Sequence, residues 1–328
     1  MSYTDSKGHR LVMDGGSWVF RGGDGAGGTP YRALSGLWVD KTGRGEVVRE
    51  ARGWKGEAGR WERSHTRGSV TNFEVFDKVF EEFLASRGLA GERRLARGCS
   101  LTFGVPLFEP RRARAAMLEF LFESVGVGAV GPRRAAEVSV RGGTGLVLDL
   151  GHSAVQVAPV FEHAVLLPAA RAVPVGGKIV ARFLGQSAGG RRGLPAQLAL
   201  EEGQGPAFAA AAAIFEPALV GIEASGLAAA VREALEGLEE PLQRKLLRNV
   251  VVTGGLSRLP GLSDRVFKEL RAELPFHLPL GFSVCSDENF FLNCLARSVG
   301  EEGFKSSLVD RKAYEECGSA NLVQYLCL

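Results

Sequence analysis

The chain has 328 residues, a formal net charge of +3, and 45% hydrophobic and 23% charged residues, the balance of a soluble globular protein. That length can bury a substantial core and favours two lobes over one. So small a net charge gives no case for nucleic acid as a direct partner, and the arginine pairs (Arg93-Arg94, Arg111-Arg112, Arg133-Arg134, Arg191-Arg192) are scattered and read as solvated faces.

Five cysteines (Cys99, Cys285, Cys294, Cys317, Cys327) form no CxxC pair and are odd in number. This implies a reduced compartment and free thiols, the tail residues Cys317 and Cys327 included. The stretch from Met1 to His9 is polar, and no run reaches the length of a membrane span. The expectation is a cytoplasmic or nuclear protein with no membrane partner.

In chain order, Arg10-Leu-Val-Met-Asp14 reads as an apolar strand running into a glycine turn, Gly15-Gly16-Ser17, and a return strand, Trp18-Val-Phe-Arg21. A glycine-rich segment, Gly22 to Gly28, follows. From Asp40 to Arg67 the chain is rich in Gly, Arg and Glu, with Trp54 and Trp61 as isolated anchors, and reads as a poorly packed insertion or mobile loop. Gly68-Ser-Val-Thr-Asn72 then leads into a strong amphipathic helix. Its apolar face is Phe73, Phe76, Val79, Phe80, Phe83 and Leu84, and Thr71 with Glu74 is the expected capping box. A strand at Ser100 to Phe103 precedes a helix from about Arg111, whose buried stripe is Met117, Leu118, Leu121, Phe122 and Val125.

The second half repeats the opening pattern. In Thr144-Gly-Leu-Val-Leu-Asp-Leu-Gly-His-Ser153 a strand at Leu146 to Leu148 ends in Asp149 and a turn at Gly151, and Ala154 to Pro159 returns. Val160 to Leu167 reads as a further strand pair, and Val175-Gly-Gly-Lys178 opens a helix through Phe183. Between Ser187 and Gly205 the composition shifts to Gly, Gln and Arg, and Ala209 to Ala213 is an alanine run. Helices are expected over Leu227 to Glu236 and Pro241 to Arg248. Asn249-Val-Val-Val-Thr253 reads as a buried strand ending in Gly254-Gly255, suited to backbone lying against a nucleoside. Pro260-Gly261 precedes a helix carrying Leu262, Val266, Phe267 and Leu270.

Two hairpins of the form strand, Asp, glycine turn, strand, 135 residues apart, suggest two related halves facing one ligand. The glycines let backbone N–H groups approach a phosphate, and paired aspartates would hold a hydrated divalent cation through water. Asp-Gly turns alone are ordinary hairpin chemistry, so the weight lies in the pair.

Six segments in order resemble the actin and actin-related family. Asp14-Gly-Gly-Ser17 and Thr144 to Gly151 look like its two phosphate loops, and Gly68-Ser-Val-Thr-Asn72 looks like its Gly-Ile-Val-Thr-Asn-Trp segment. Ile214-Phe-Glu-Pro217 through Gly221-Ile-Glu-Ala-Ser-Gly226 resembles Leu-Phe-Gln-Pro and Gly-Met-Glu-Ser-Cys-Gly. Asn249 to Gly261 resembles the adenosine-side loop, and Ala313-Tyr-Glu-Glu-Cys-Gly318 resembles the family's tail. The resemblance implies an α/β, actin-like (ribonuclease-H-like), two-lobed ATPase fold with duplicated halves. Residues 1–138 with 291–328 would form the first lobe, its second subdomain reduced to about 40–67. Residues 139–290 would form the second lobe, with a truncated fourth subdomain at about 178–213; only 37 residues lie between Gly177 and Phe215.

The same resemblance implies ATP or ADP with Mg2+, with nucleotide contacts from Gly15, Gly16, Ser17, Arg21, Gly151, Ser153, Gly254 and Gly255. Asp14 and Asp149 would reach the metal through water. Departures from the family bear on chemistry. Trp18 replaces a phosphate-loop glycine, Arg21 replaces a lysine, and His152-Ser153 replaces Asp-Gly in the second loop, removing its second carboxylate. The family's water-orienting glutamine falls near Pro132 and its helpful histidine at Gln156, so hydrolysis is not expected and no residue is assigned a catalytic role. The nucleotide is then either retained without turnover or lost, with Trp18 packing in an empty cleft. His152 reads as a packing or solvent-facing histidine. The leading expectation is a divergent actin-like scaffold of the cytoskeleton that makes no ordinary filament and acts through protein partners. A nuclear subunit of a chromatin-remodelling complex is the second reading, and an active phosphotransferase of the sugar-kinase kind is the third.

Overall fold

Alternation of apolar residues sets the first strand, β1 (Arg10–Gly15). Leu11 and Met13 point into an aromatic cluster, while Val12 and Asp14 point to the opposite face. The computed structural model that shows this describes residues 9–25, 28–49, 59–89, 99–187, 211–300 and 308–325. β2 (Val19–Asp24) returns antiparallel with Asp14 opposite Arg21, and β3 (Tyr31–Leu34) pairs with β2. Gly22 to Asp24, the opening of the expected glycine-rich segment, are therefore strand.

The stretch expected to be a poorly packed insertion is ordered where it is described. β4 (Gly36–Asp40), β5 (Gly45–Val47) and β6 (Gly59–Arg63) form a three-stranded antiparallel sheet in which Trp38 faces Trp61. Trp54 lies outside the described residues. A short hairpin, β7 (His65–Thr66) and β8 (Ser69–Val70), leads into α1 (Phe73–Ser86). Asn72, not Thr71, caps this helix: its side chain accepts from the Val75 N–H at 3.1 Å. The apolar face is as expected, with Val75 added and with Phe73 and Leu84 only partly buried.

β9 (Ser100–Val105) and β10 (Ala129–Arg134) lie parallel to β1. Between them α2 (Arg111–Glu119) widens into a looser helical turn over Phe120–Val125 that buries Phe120, Leu121, Phe122 and Val125 and ends at Gly126. The Arg133-Arg134 pair departs from the solvated face expected of it. β10 carries both into the sheet's last row beside Gly104 and Val105, which leaves Arg134 buried and Arg133 half-buried. Arg111 and Arg112 are exposed, and the other two pairs lie outside the described residues.

After α3 (Ala135–Ser139), β11 (Gly145–Leu150) and β12 (Val155–Phe161) form the second hairpin, extended by β13 (Ala164–Val165) and β14 (Arg171–Val173). α4 (Gly177–Ser187), α5 (Leu227–Leu235), α6 (Glu240–Leu247) and α7 (Leu262–Glu273) accompany β15 (Val250–Thr253) and β16 (Phe282–Val284), which are parallel to β11. Phe267 is not the core residue its spacing predicts: it is 37% exposed and packs edge-on to Phe282 at 5.5 Å. The chain closes with α8 (Phe290–Ser298), β17 (Val309–Asp310) and α9 (Arg311–Tyr325).

These elements form two compact units, Met1–Ala135 with Phe291–Leu328 and Ala136–Phe290. The first holds a sheet of order β17-β10-β9-β1-β2-β3, the second a sheet of order β13-β12-β11-β15-β16 with β14 also on β12. In each, an antiparallel hairpin adjoins parallel strands on the side of its first strand. The core of the first unit centres on Phe20, whose ring meets Tyr31, Phe76, Phe80 and Phe83 at 5.7 to 6.2 Å. The core of the second is aliphatic, with Leu146, Leu148, Leu150, Val250 and Val252 against α5 and α7.

Gly22 in β2 lies against the Phe83 ring so closely that a Cβ there would collide with it. Gly22→Ala should destabilise the protein by about 1–3 kcal/mol through overpacking, read as a lowered urea midpoint at unchanged slope. An unchanged midpoint would mean that the ring cluster gives way freely.

Candidate functional site

Asp14 ends β1 just before its turn, and the ladder sets Arg21 opposite it, with Arg21 Nη1 3.4 Å from Asp14 Oδ2. Both side chains are largely buried, at 12% exposure for Arg21 and 20% for Asp14. Burial pushes the Asp14 carboxyl up from the usual carboxylate range, and the guanidinium only partly opposes this. The turn itself is tight: a Cβ on Gly16 would lie 2.8 Å from the Val19 carbonyl. Trp18 does not lie open at the turn. Its indole is 9% exposed and packs against Trp61 of β6, ring centroids 6.2 Å apart.

Beneath the turn runs a polar network that no motif announces. His65 Nε2 lies 3.0 Å from the Gly15 carbonyl, and the Ser35 hydroxyl donates to the Gly16 carbonyl. A carbonyl only accepts, so Nε2 carries the imidazole proton and Nδ1 is left to accept. The Ser64 hydroxyl lies 2.8 Å from Nδ1 and 2.9 Å from the Ser35 carbonyl, so its single hydrogen is shared between these two acceptors. The Ser35 carbonyl keeps the Ser64 N–H at 3.2 Å, and the Ser64 carbonyl accepts from Thr71 and Asn72 at the head of α1. Ser35, Ser64 and His65 are all buried. Burial pushes the His65 pKa down to about 4, the Gly15 carbonyl opposing weakly.

The second turn is built differently. Asp149 ends β11 opposite Gln156 and level with Thr253 of β15. The Gly177 and Lys178 N–H groups at the start of α4 donate to the carbonyls of Gly151 and His152 at 3.0 and 2.9 Å. Three glycines make these approaches fit. A Cβ on Gly151 would lie 2.9 Å from the Ala154 carbonyl, and one on Gly176 would lie 2.6 Å from the His152 carbonyl. Gly254, at φ +92°, has room for none, since a Cβ would fall 2.5 Å from Asp149 Oδ1. The His152 ring lies along α4's first residue, with Nδ1 3.5 Å from where a Gly177 Cβ would be. Gly255 opens the short turn that follows, and the Ser257 hydroxyl donates to the Gly254 carbonyl at 2.7 Å.

Of the residues expected to bind nucleotide and metal, Asp14, Gly15, Gly16, Ser17 and Arg21 thus meet in one turn of the first unit. Asp149, Gly151, Ser153, Gly254 and Gly255 lie in neighbouring turns of the second. The sequence reading missed His65, Ser64 and Ser35, and missed the part played by Gly176 to Lys178. The first turn suits a phosphate, with glycine backbone half-exposed and a guanidinium beside it. It suits a hydrated cation less well, because Arg21 already sits on the Asp14 carboxylate. Among the described residues no group of three or more His, Cys, Asp or Glu is placed to hold a metal ion, and no helix is long and apolar enough to cross a membrane. Cys99, Cys285, Cys294 and Cys317 take part in no disulfide, while Cys327 lies outside the described residues.

The family model described as Actin matches residues 6–192 and 193–327. Among curated proteins the chain is similar to the actin-like protein arp5 of Schizosaccharomyces pombe, with 36% identity over 109 residues. The match covers 32% of this chain and 15% of that relative.

Two measurements check the site's packing and electrostatics. A double-mutant cycle on Trp18→Ala and Trp61→Ala should show a coupling of about 0.5–1.5 kcal/mol, whereas additive losses would mean that the indoles pack independently. Because the His65 pKa is lowered on folding, its contribution is full above its unfolded value and fades as pH falls toward 4. Relative to His65→Gln, the parent should lose about 2 kcal/mol between pH 7 and pH 5. Glu109, pushed up to about 7 by burial, acts with the opposite sign and cancels in this difference. Parallel pH profiles for the two proteins would refute the assignment.

Proposed function

This chain belongs to the actin family, and from that premise we propose that it is an actin-related subunit of a multi-protein assembly, retaining nucleotide without hydrolysing it. The observation that carries the retained nucleotide is the placement of Trp18. Its indole is folded onto Trp61, and Gly15, Gly16 and Ser17 are half-exposed at the turn. In this reading the N–H groups of Gly16 and Ser17 and the Arg21 guanidinium take phosphate at the first turn. Gly151, Ser153, Gly254 and Gly255 are the residues of the second unit that the family resemblance assigns to nucleotide. A bound nucleotide supplies charge for these donors to hold, and the chain supplies no means to cleave it. Pro132, opposite Phe103 in the β10 ladder, and Gln156, opposite Asp149, are the residues to which the sequence resemblance aligns the family's water-positioning groups, and this supports the reading.

Mg2+ would reach Asp14 only in competition with Arg21, so the proposed binding depends weakly on the metal. The reading also takes the halves to be duplicated and the fourth subdomain to be reduced, which leaves no basis for an ordinary filament. The similarity to an actin-like protein supports an actin-related subunit. Two settings suit such a subunit: a nuclear chromatin-remodelling complex, and a cytoskeletal scaffold in the cytoplasm. Co-purification separates them, since a remodelling complex brings its motor ATPase with it.

Calorimetric titration of the full chain with ATP should give saturable binding that changes by less than about tenfold when magnesium is removed. A phosphate-release assay should stay at background. Failure of the parent to bind, with binding gained by Trp18→Gly, would replace this reading with an empty site. Phosphate release at or above the rate of actin would overturn the absence of hydrolysis.

A further inference from the structure

The geometry points to His65 as a positioning residue that, together with Ser35, turns the first loop's backbone so that the Gly16 and Ser17 N–H groups form a receiving edge for a polyphosphate. The inference rests on the reading of this turn as a phosphate site and adds what sets its orientation. A trans peptide holds its C=O and its N–H on opposite sides of one plane, and the chain has no cis peptide among the described residues. The Gly15 carbonyl is held by His65 Nε2 at 3.0 Å, so the Gly16 N–H in the same peptide points away from His65. The Gly16 carbonyl is held by the Ser35 hydroxyl, so the Ser17 N–H points away from Ser35. Two neighbouring peptides are each fixed by a buried side chain from another segment, and each presents its donor on the side away from that segment.

Glycine makes this fixing necessary. Gly15 and Gly16 carry no Cβ to restrict their torsions, and two glycines in sequence would sample many turns. The network removes that freedom from the carbonyl side of the turn. His65 is in turn fixed by Ser64 at 2.8 Å and by the Phe76 ring, edge-on at 6.0 Å. Ser64 and Ser35 are joined through the Ser64 N–H, so both clamps belong to one rigid piece. Arg21, 3.4 Å from Asp14, places a positive charge beside the same turn.

The two clamps act on different peptides, which gives the test its resolution. In the full chain, His65→Phe keeps a ring of similar size but removes the donor to Gly15. His65→Gln keeps a donor and an acceptor, and Ser35→Ala removes only the donor to Gly16. Titration with ATP and with inorganic tripolyphosphate should show an affinity loss of about tenfold or more for His65→Phe and near-parent affinity for His65→Gln. Backbone relaxation of labelled protein should show lost order at Gly16 in His65→Phe and at Ser17 in Ser35→Ala, with Gly151 to Ser153 unchanged in both. A His65→Phe protein that binds both anions like the parent would overturn the proposal, as would turn amides that keep their order. A parent that binds neither anion removes the phosphate reading and the receiving edge together. The relaxation data then still decide whether His65 sets the turn.

Discussion

The first unit depends on the register of β1. This strand is paired on both sides, antiparallel to β2 and parallel to β9, and its alternate residues divide between two unlike environments. Slipping the strand by one residue would exchange Met13 for Asp14, placing a carboxylate among Phe20, Phe76 and Phe80 and an apolar side chain beside Arg21. The rings that forbid the slip are themselves held in register. Gly22 leaves room for Phe83, and Arg87 at the end of α1 reaches back to the Asp24 carboxylate at 3.1 Å and the Thr29 carbonyl at 2.7 Å. The position of Asp14 and its turn is therefore a consequence of where the aromatic core lies.

The two turns reach similar ends by different physics. In the second, backbone meets backbone: the first N–H groups of α4 donate to the carbonyls of Gly151 and His152, and glycines stand where the chains touch. In the first, side chains do this work, His65 and Ser35 each taking one carbonyl. A backbone contact tolerates many side chains but demands glycines where the segments touch. A side-chain clamp leaves the packing freer but fails when a single residue is changed. The first turn is accordingly the more exposed to substitution at a distance, through residues 20 and 50 positions from Gly15 that carry no recognisable motif.

Much of the secondary structure was legible because it rests on periodicity. The alternation in β1 and the stripe from Phe73 to Phe83 are strong local signals, and the elements formed where those signals lie. The sheet of β4, β5 and β6 was not legible. Its strands are three to five residues long and rich in Gly, Arg and Glu, and their pairing joins Trp38 to a tryptophan beyond a long connection. Phe267 follows the helical spacing of Val266 and Leu270, yet its place beside Phe282 is decided by the edge strand β16, which the sequence pattern did not mark as a strand. Arg134 reads as a surface charge in sequence and is buried because a strand ends there. Of the site, the Asp-Gly turns were visible as motifs. The residues that orient the first turn were not, because Ser35, Ser64 and His65 gain their roles only through contacts made by the folded chain.

The departures of the first turn from the family pattern form a set. A tryptophan in the place of a loop glycine needs somewhere to put its indole, and Trp61 of β6 supplies an apolar wall beside it. Trp61 in turn fits because Gly36, diagonal to it on the paired strand, has no side chain; a Cβ there would lie 2.6 Å from the Trp61 ring. Trp18, Trp61 and Gly36 are thus mutually required, and the small sheet that carries two of them also adjoins Ser35 and Ser64, which brace the turn from below. Two opposite demands meet at this point of the chain: an indole must be buried close to the turn, and the turn's backbone must keep its donors outward. One sheet meets both, with Trp61 receiving Trp18 and with Ser35 and His65, just beyond its strands, holding the carbonyls. The sheet read from sequence as loose insertion is, in the fold, the support on which the geometry of the first turn rests.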